Sequence, residues 1–511
     1  MEEPLVSDSA VAGNERIVEV LHALVTRPEP TGVRELALAL NASRSTVNRV
    51  LQALEEHALA AVSGNGNYQV GPRLRVLAAA LHTRHPLLRN AGAVIERLGE
   101  QSDATVLIAL HDAPRPRVVV ISCHRRPGPI KYLLEPGTVL PLHAGATGRS
   151  ILGRLGVGAL GEEPLEAHTP DTVTERAELE RLLGADAAAG YTVSIGQQFP
   201  LAAGAAASFQ CHGLTGSVSL TRPRFLTSDE DLHRFGPMAR QAAQAIEAAC
   251  AVQQTAAEME PITFPAGSTA VERIARLITA LAANPNRLPT GPDLARGLGA
   301  NIATTNRLVS TALAAGLALQ RHNSLQAGPR LFHWAAHLGP AVNTALVADP
   351  ILRKLAQESG ETIGLIQFHM DTKEAVMTTV VDGVRPLHYG LASGVPIPLY
   401  AGAGGKAILA HCPPSDIQAL KLEPLTERTQ TNPRALKKDL EEIRERGWAV
   451  GDGERIPDAF GVSAPYFIDN TIAGSITATV TRLRLPDLDV DALAYMVQQA
   501  AQQLTRALSV P

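Results

Sequence analysis

"PLHAGATGRSIL", Pro141 to Leu152, and "PLYAGAGGKAIL", Pro398 to Leu409, are nearly the same Gly/Ala-rich phrase, 398 − 141 = 257 residues apart in a chain of 511. The spacing recurs. "NERIVEVLHAL" from Asn14 matches "VERIARLITAL" from Val271, and "QVGPRL" from Gln69 matches "QAGPRL" from Gln326. "LGEQSDAT" from Leu98 matches "LAQESGET" from Leu355, and "GYTV" from Gly190 matches "GWAV" from Gly447. "TVNRVL" from Thr46 pairs with "TTNRLV" from Thr304 at 258, one residue gained and lost again. Two Ala-rich halves of similar composition would not keep order and spacing, so the pattern reads as a tandem duplication of a unit of about 250 residues. The seam falls near "TAAEMEPITFPAGST", Thr255 to Thr269, where Pro261, Pro265 and Gly267 break a long helical stretch.

Within each unit the phrase sits where a loop enters a helix. Small residues there let the backbone approach a neighbour or a ligand closely, and amides at the helix start can hold a carboxylate. Tight helix–sheet packing without a ligand explains the same residues. Around the phrase, "ATVLIALHD", "RVVVISCHR" and "IKYLLEPG" read as strands, as do "ETIGLIQFHM", "EAVMTTVVDG" and "RPLHYGLASG". Each unit closes on a helix, so the expected remainder is an α+β sensor-like domain.

The first part of each unit reads differently. Asn14–Thr26 has apolar residues at helical spacing (Ile17, Val18, Val20, Leu21, Leu24), "VRELALAL" is a second short helix, and Asn41 and Ser43 are turn and cap residues. "RSTVNRVLQALEEHALA" is a third helix with Arg44, Ser45, Thr46, Asn48 and Arg49 opposite its apolar face, followed by a hairpin around Gly64-Asn65-Gly66. This order is that of a winged helix-turn-helix, whose third helix enters a major groove. Arg and Asn read base edges, and Ser and Thr bind phosphate. A three-helix protein-docking module has the same pattern, and both readings stay open here. The second copy offers Asn301, Thr304, Thr305, Asn306, Arg307 and the hairpin Arg321. Its other basic residues include Arg276, Arg296 and Arg330, and its acids are Glu272 and Asp293. The first copy carries Glu15, Glu19, Glu29, Glu35, Glu55 and Glu56. Phosphate attraction is therefore expected to be stronger in the second copy.

Composition limits the rest. The net charge of −4 excludes a polycation, so DNA binding must rest on local patches. The start lacks the basic and apolar regions of a secretion signal and no apolar run is long enough for a bilayer, so a soluble cytoplasmic protein with no membrane partner is expected. Cys123, Cys211, Cys250 and Cys412 are widely spaced without C-x-x-C, which reads as free thiols in a reducing compartment. Adjacent Cys–His dipeptides point apart and make no ligand pair, so no metal and no cofactor are expected. With no G-x-S-x-G, H-E-x-x-H or P-loop, no catalytic residues are assigned and an enzyme is the weakest reading.

The winged module with "STVNRVLQALEEHALA…NYQVGPRL", then "LGEQSDATVLIAL" and "PGTVLPLHAGATGRSIL", resembles the IclR family of bacterial transcriptional regulators. "TTNRLVSTALAAGLA", "LAQESGETIGL", "GVPIPLYAGAGGKAILA" and "EEIRERGWAV" resemble it again. The resemblance implies two winged helix-turn-helix domains alternating with two GAF/profilin-like α+β effector domains. The expected boundaries are a tail at 1–12, winged domains at 13–82 and 269–339, effector domains at 83–254 and 340–511, and a linker at 255–268. It implies control of transcription on double-stranded operator DNA by a small-molecule effector, often an organic acid. Single-unit members pair through their DNA-binding modules, so here an intramolecular pseudo-dimer and a homo-dimer are expected. An assembly module with a degenerate sensor is the alternative. Ligand contacts are expected at Leu140, His143, Ala144, Ala146 and Thr147, and at Ile397, Tyr400, Ala403 and Gly404. The chain departs from the family where Arg149 stands in place of the usual lysine, kept at Lys406. The late pocket segment Gly-x-x-Cys-x-Ala-x-Pro reads "DAFGVSAPYF" in the second unit, with Asp458 at the glycine. In the first it reads "AAGAAASFQ", with Ser208 for the proline, so the first pocket has diverged further.

Overall fold

Residues 8–63, 66–113, 115–124, 134–251, 269–468 and 470–509 are described by the computed structural model. The expected linker, the Gly64-Asn65 hairpin tip and the start of "IKYLLEPG" lie outside them. The first helix, α1 (Asp8–Val25), reaches back into the expected tail. It is followed by α2 (Val33–Ala39), α3 (Arg44–Glu56) and the antiparallel hairpin β1 (Ala60–Val62) and β2 (Tyr68–Val70). Leu21, Leu36, Val47, Leu51 and Leu54 bury the apolar faces of the three helices against one another. Asn41 is not a cap; it takes the left-handed turn conformation between α2 and α3 (φ 46°), which Asn tolerates better than most residues. Ser43 is the cap, its hydroxyl accepting from the Thr46 amide at 3.1 Å.

Helices α4 (Pro72–Arg84) and α5 (Pro86–Ser102) lead into the first sheet. Its strands are β3 (Thr105–His111), β4 (Arg117–His124) and β5 (Val139–Pro141). After α6 (Gly145–Leu155) and α7 (Arg176–Ala189) come β6 (Thr192–Ile195), β7 (Ala202–Cys211) and β8 (Leu214–Pro223), and then α8 (Asp229–Ala251). All pairings are antiparallel, in the order β5-β4-β3-β8-β7-β6. Cys211 at the end of β7 and Cys250 in the last turn of α8 are joined by a disulfide, against the expectation of free thiols. A sequence separation of 39 carries no pairing signal; the approach comes from α8 packing across β7.

A second three-helix segment follows: α9 (Ala270–Ala283), β9 (Leu288–Pro289), α10 (Pro292–Leu298), α11 (Ile302–Ala314), β10 (Ala318–Arg321), β11 (Ser324–Ala327) and α12 (Pro329–Leu338). Gly299 (φ 63°) takes the turn position of Asn41, and Asn301 caps α11 as Ser43 caps α3, accepting from the Thr304 amide at 2.8 Å. This segment belongs to one compact unit with everything before it, and a second unit begins at Val342.

Within the first unit the two three-helix segments touch reciprocally. Helix α1 meets α9, α4 meets α12, α1 meets α11 while α3 meets α9, and α4 meets α9 while α1 meets α12. That is the pattern of a self-complementary two-fold contact. Trp334 is fully buried there and donates Nε1–H to His22 Nδ1 at 3.1 Å; His82 Nε2 bonds the Ala335 carbonyl at 3.0 Å. Burial dominates the titration of this cluster, pushing His22 down to about 2 and His333 to about 4, with neighbouring cations adding to the effect.

The second unit comprises α13 (Thr344–Ser359), β12 (Thr362–His369), β13 (Glu374–Val381), β14 (Val395–Pro396), α14 (Ala403–Leu409), α15 (Pro414–Gln418), α16 (Pro433–Arg446), β15 (Ala449–Asp452), β16 (Ala459–Ile468), β17 (Thr471–Thr481) and α17 (Val490–Leu508). Its antiparallel order, β14-β13-β12-β17-β16-β15, repeats that of the first sheet. Even the bulge between Ile108 and Ala109 recurs between Leu365 and Ile366. "RPLHYGLASG" forms no strand: Pro386 lacks a ladder N–H, Gly394 has φ 79°, and only Val395 and Pro396 pair with β13.

Candidate functional sites: two reading helices and two sensor cavities

The exposed N-terminal turns of α3 and α11 are the candidate nucleic-acid surface. Arg44, Ser45 and Arg49 are exposed, and Thr46 and Asn48 are half-buried. A hydroxyl chain orders the first turn: Ser43 Oγ lies 3.0 Å from Ser45 Oγ and donates to Thr46 Oγ1 at 2.8 Å. Thr46 and Arg49 also line a groove with Arg16 and Val271, where α3 faces α9. On α11, Asn306 and Arg307 are exposed and Thr304 is half-buried, while Asn301 is exposed but committed as cap. Thr305 does not face outward. It is buried, with its hydroxyl on the Asn301 carbonyl at 3.0 Å, and packs the helix rather than presenting a donor. Arg321 stands exposed on the hairpin. Arg276 and Arg330 are buried, Arg276 donating to the Leu298 carbonyl at 2.9 Å, so they add nothing to the outward charge. Arg296 is exposed and paired with Asp293.

The Gly/Ala-rich phrase enters α6 and α14. Its most constrained residue is a glycine in each copy: a Cβ at Gly148 would lie 2.1 Å from the Pro141 carbonyl, and one at Gly405 2.0 Å from that of Pro398. The helix therefore presses on the loop that precedes it, and this part of the motif is explained by packing. The neighbouring positions are exchanged in compensation. Thr147 donates to Ser219 Oγ at 3.0 Å, whereas Gly404 leaves room for Ile366, whose Cδ1 would lie 2.2 Å from a Cβ there. Ala109 stands at the sheet position of Ile366.

Behind each phrase is a small cavity. The first, about 30 Å³, is lined by Leu140, Ala146 and Thr147 together with Gln197, Phe199 and Thr221. The second, about 50 Å³, is lined by Ile397, Ala403 and Gly404 with Met377, Glu454 and Arg455. Each has room for only a few waters. Ala144 is buried as the residue capping α6. Tyr400 lines neither of these, and His143 lines a wider, more open cleft beside the first, about 380 Å³, with Leu140, Leu160 and His168. His143 and Tyr400 tie the same loop in each copy: His143 Nε2 bonds the Glu166 carbonyl at 3.0 Å, and Tyr400 donates its hydroxyl to the Glu423 carbonyl at 3.0 Å. Burial lowers the His143 pKa although this bond opposes the shift.

Arg149 and Lys406, which the sequence marks only as a departure from the family lysine and its retention, are the buried cations of the two sites. Arg149 forms a fork on Asp186 (2.9 and 3.0 Å) and donates to Gln197 Oε1 at 2.8 Å and the Val193 carbonyl at 3.1 Å. Lys406 sits between two carboxylates, Asp439 and Glu454, each at 2.7 Å. Glu454 also accepts from the Gly402 amide at the start of α14, at 2.9 Å. One neutral and one acidic partner thus distinguish the sites. Among the described residues no group of three or more His, Cys, Asp and Glu is placed to hold a metal, and no helix is long and apolar enough to cross a membrane.

A three-helix module whose third helix has a capped, polar first turn, joined to a six-stranded antiparallel sheet, has the two-part architecture of a DNA-binding domain followed by an effector domain. The family model described as the bacterial transcriptional regulator IclR C-terminal domain matches residues 79–248 and again 341–506, and that of the IclR helix-turn-helix domain matches residues 15–62. The chain belongs to the IclR family of bacterial transcriptional regulators. It is 29% identical over 221 residues to the HTH-type transcriptional regulator BhcR of Paracoccus denitrificans, covering 42% of this chain and 78% of that protein. It is 29% identical over 231 residues to the transcriptional repressor IclR of Escherichia coli, covering 42% and 81%. A solved IclR transcriptional regulator from Alicyclobacillus acidocaldarius is 23% identical and covers 48% of this chain and all of that one, with a TM-score of 0.43. One family member corresponds to about half of this chain.

Proposed function

We infer that the chain is a sequence-specific DNA-binding regulator in which residues 269–339 are a second winged helix-turn-helix, paired with the first as a pseudo-dimer within one molecule. The reciprocal packing of the two three-helix segments carries this reading. Each contact made by an element of one is returned by its counterpart in the other, as in an isologous dimer. The reading helices then serve two half-sites. Because "RSTVNR" and "ATTNR" differ, the operator is an imperfect palindrome. The sensor domains bind a small organic molecule against Leu140, His143, Ala144, Ala146 and Thr147, or against Ile397, Tyr400, Ala403 and Gly404. That ligand biases the placement of the reading helices, since only differential affinity for two states shifts their balance.

Footprinting with the purified full chain tests the pairing. One chain is expected to protect two unequal half-sites about one helical turn apart. Protection of a single half-site, or an equal demand on both halves, would reject it. Salt-independent association would instead favour a protein-docking module.

A further inference from the structure

The first sensor domain carries a covalent link that its sister lacks. The Cys211–Cys250 disulfide joins the end of β7 to the end of α8, and at the corresponding places the second domain has Ile468 and Leu508. Both domains already close this junction with one backbone donor. Gln210 N–H donates to Glu247 Oε1 at 2.7 Å, and Phe467 N–H donates to Thr505 Oγ1 at 3.0 Å. The fold therefore forms this corner without a disulfide.

What the disulfide adjoins is the second three-helix segment. The turn after Cys211 has positive φ at both His212 (47°) and Gly213 (81°). A Cβ at Gly213 would lie 3.3 Å from Gln326 Oε1 and 4.0 Å from Leu319 Cδ1, so the turn rests on the β10–β11 hairpin that also bears Arg321. The contact is incompletely satisfied: His212 Nε2 and Gln326 Oε1 are both buried without a hydrogen-bond partner. Buried orphan groups make an arrangement costly to hold and responsive to small displacements. On its other side α8 ends at Ala251, from which the chain runs on to α9. The link thus ties together two of the places where the first α+β domain meets the second segment, one by packing and one by chain connection; α12 also packs on β4.

We propose that Cys211 and Cys250 are a reversible dithiol–disulfide pair, oxidised by hydroperoxides, that sets how firmly the first sensor domain holds the β10–β11 hairpin and thereby the DNA affinity of the segment bearing it. Cys250, at a helix end and the less buried of the two, reacts first when that turn frays. Its thiolate takes one oxygen from the hydroperoxide to give a sulfenic acid, and the alkoxide leaves protonated as the alcohol (water, for hydrogen peroxide). The Cys211 thiolate then attacks the sulfenic sulfur and expels hydroxide, which leaves as water. The two sulfurs lose two electrons and the O–O bond gains them. A dithiol reductant reverses the step through a mixed disulfide, being itself oxidised.

The proposal rests on residues 269–339 being a DNA-binding segment, and the test separates the two. Full-length protein is reduced or treated with hydrogen peroxide, then unfolded in denaturant, alkylated and weighed. Its affinity for operator DNA is read by fluorescence anisotropy, and hydrogen exchange is followed in the hairpin Ala318–Ala327. Peroxide is expected to remove two alkylatable cysteines, leaving Cys123 and Cys412. Affinity is expected to change about five-fold or more between the two states, exchange in the hairpin to rise on reduction, and Cys211→Ser with Cys250→Ser to abolish both responses. Should the variants fail to fold, the reduced wild type makes the same comparison. Four alkylatable cysteines after peroxide would overturn the pair. A disulfide that forms while neither affinity nor hairpin exchange moves would reduce it to a staple. Hairpin exchange that follows the redox state of a chain that never binds DNA would keep the clamp and remove the DNA reading.

Discussion

The two halves of this chain share a backbone to the level of a single β-bulge, and they differ at the residues closest to their chemistry. The buried cation is kept, but Arg149 takes its carboxylate from Asp186 on α7 and a neutral oxygen from Gln197. Lys406 takes two carboxylates, with Asp439 on α16 about one helical turn nearer the N-terminus of its helix. The planar fork reaches further and bonds twice, while the ammonium is a compact charge that gathers acids around it. Thr147 over Ala109 becomes Gly404 under Ile366. Changes in compensating pairs show that packing of the phrase has been held constant while the polarity of the cavity wall has drifted.

Acid should separate the two compact units, whose boundary at Val342 leaves both three-helix segments in the first, more than any other change. His22, His85 and His333 all lie in the first unit, and burial is the leading cause that pushes them down to about 2, 3 and 4. A histidine whose folded pKa is depressed binds its proton more readily when unfolded. Its contribution is complete above about pH 6.5 and is lost as pH falls toward the folded value. At pH 5 that is roughly 2 kcal/mol for each, or about 6 together. In the second unit His411 is shifted the same way, by burial and Arg444, and contributes in the same sense. Calorimetry at pH 7.5 and pH 5 should show the first unit's transition falling well below the second's. Parallel shifts would mean that the histidine cluster opens to water before the unit unfolds.

The next comparison is between the buried cations. Lys406→Met leaves Asp439 and Glu454 without a counter-charge and should cost about 3–5 kcal/mol, whereas Arg149→Met strands only Asp186 and should cost less. Urea denaturation of each variant measures both. Equal losses would show that Gln197 and the Val193 carbonyl contribute as much to Arg149 as the second acid does to Lys406.

Much of this was legible in the sequence. The 257-residue offset, the three-helix–hairpin order and the helix start at the phrase follow from local pattern, which a duplication preserves. What escaped depends on which face another element covers. Thr305, Arg276 and Arg330 look like surface donors on a helical wheel, but they are buried against other parts of the first unit. His143 and Tyr400 read as cavity contacts from the phrase alone; His143 does line a cleft, but the bond each makes across 23 residues to a backbone carbonyl has no local signal. The disulfide joins residues brought together only when α8 crosses β7.

The smallest expected effect decides whether α3 and α11, on the proposed pairing, carry equal shares of DNA binding. Arg307 and Arg321 are both exposed, on a segment whose described acids near α11 are few, while Arg49 shares its module with Glu55 and Glu56 and borders the groove toward α9. A lone guanidinium attracts phosphate without a competing carboxylate, and removing one ionic link to a phosphate lowers the salt dependence of binding by about one counter-ion. Arg307→Ala and Arg321→Ala should therefore each weaken operator binding by about five-fold and flatten the slope of log affinity against log salt by about one, with Arg49→Ala doing less. Affinity titrations over a salt series read both quantities. If Arg49→Ala cost as much and flattened the slope as far, the acids of the first segment would be too distant to matter, and the two halves would grip DNA alike in spite of their different charge.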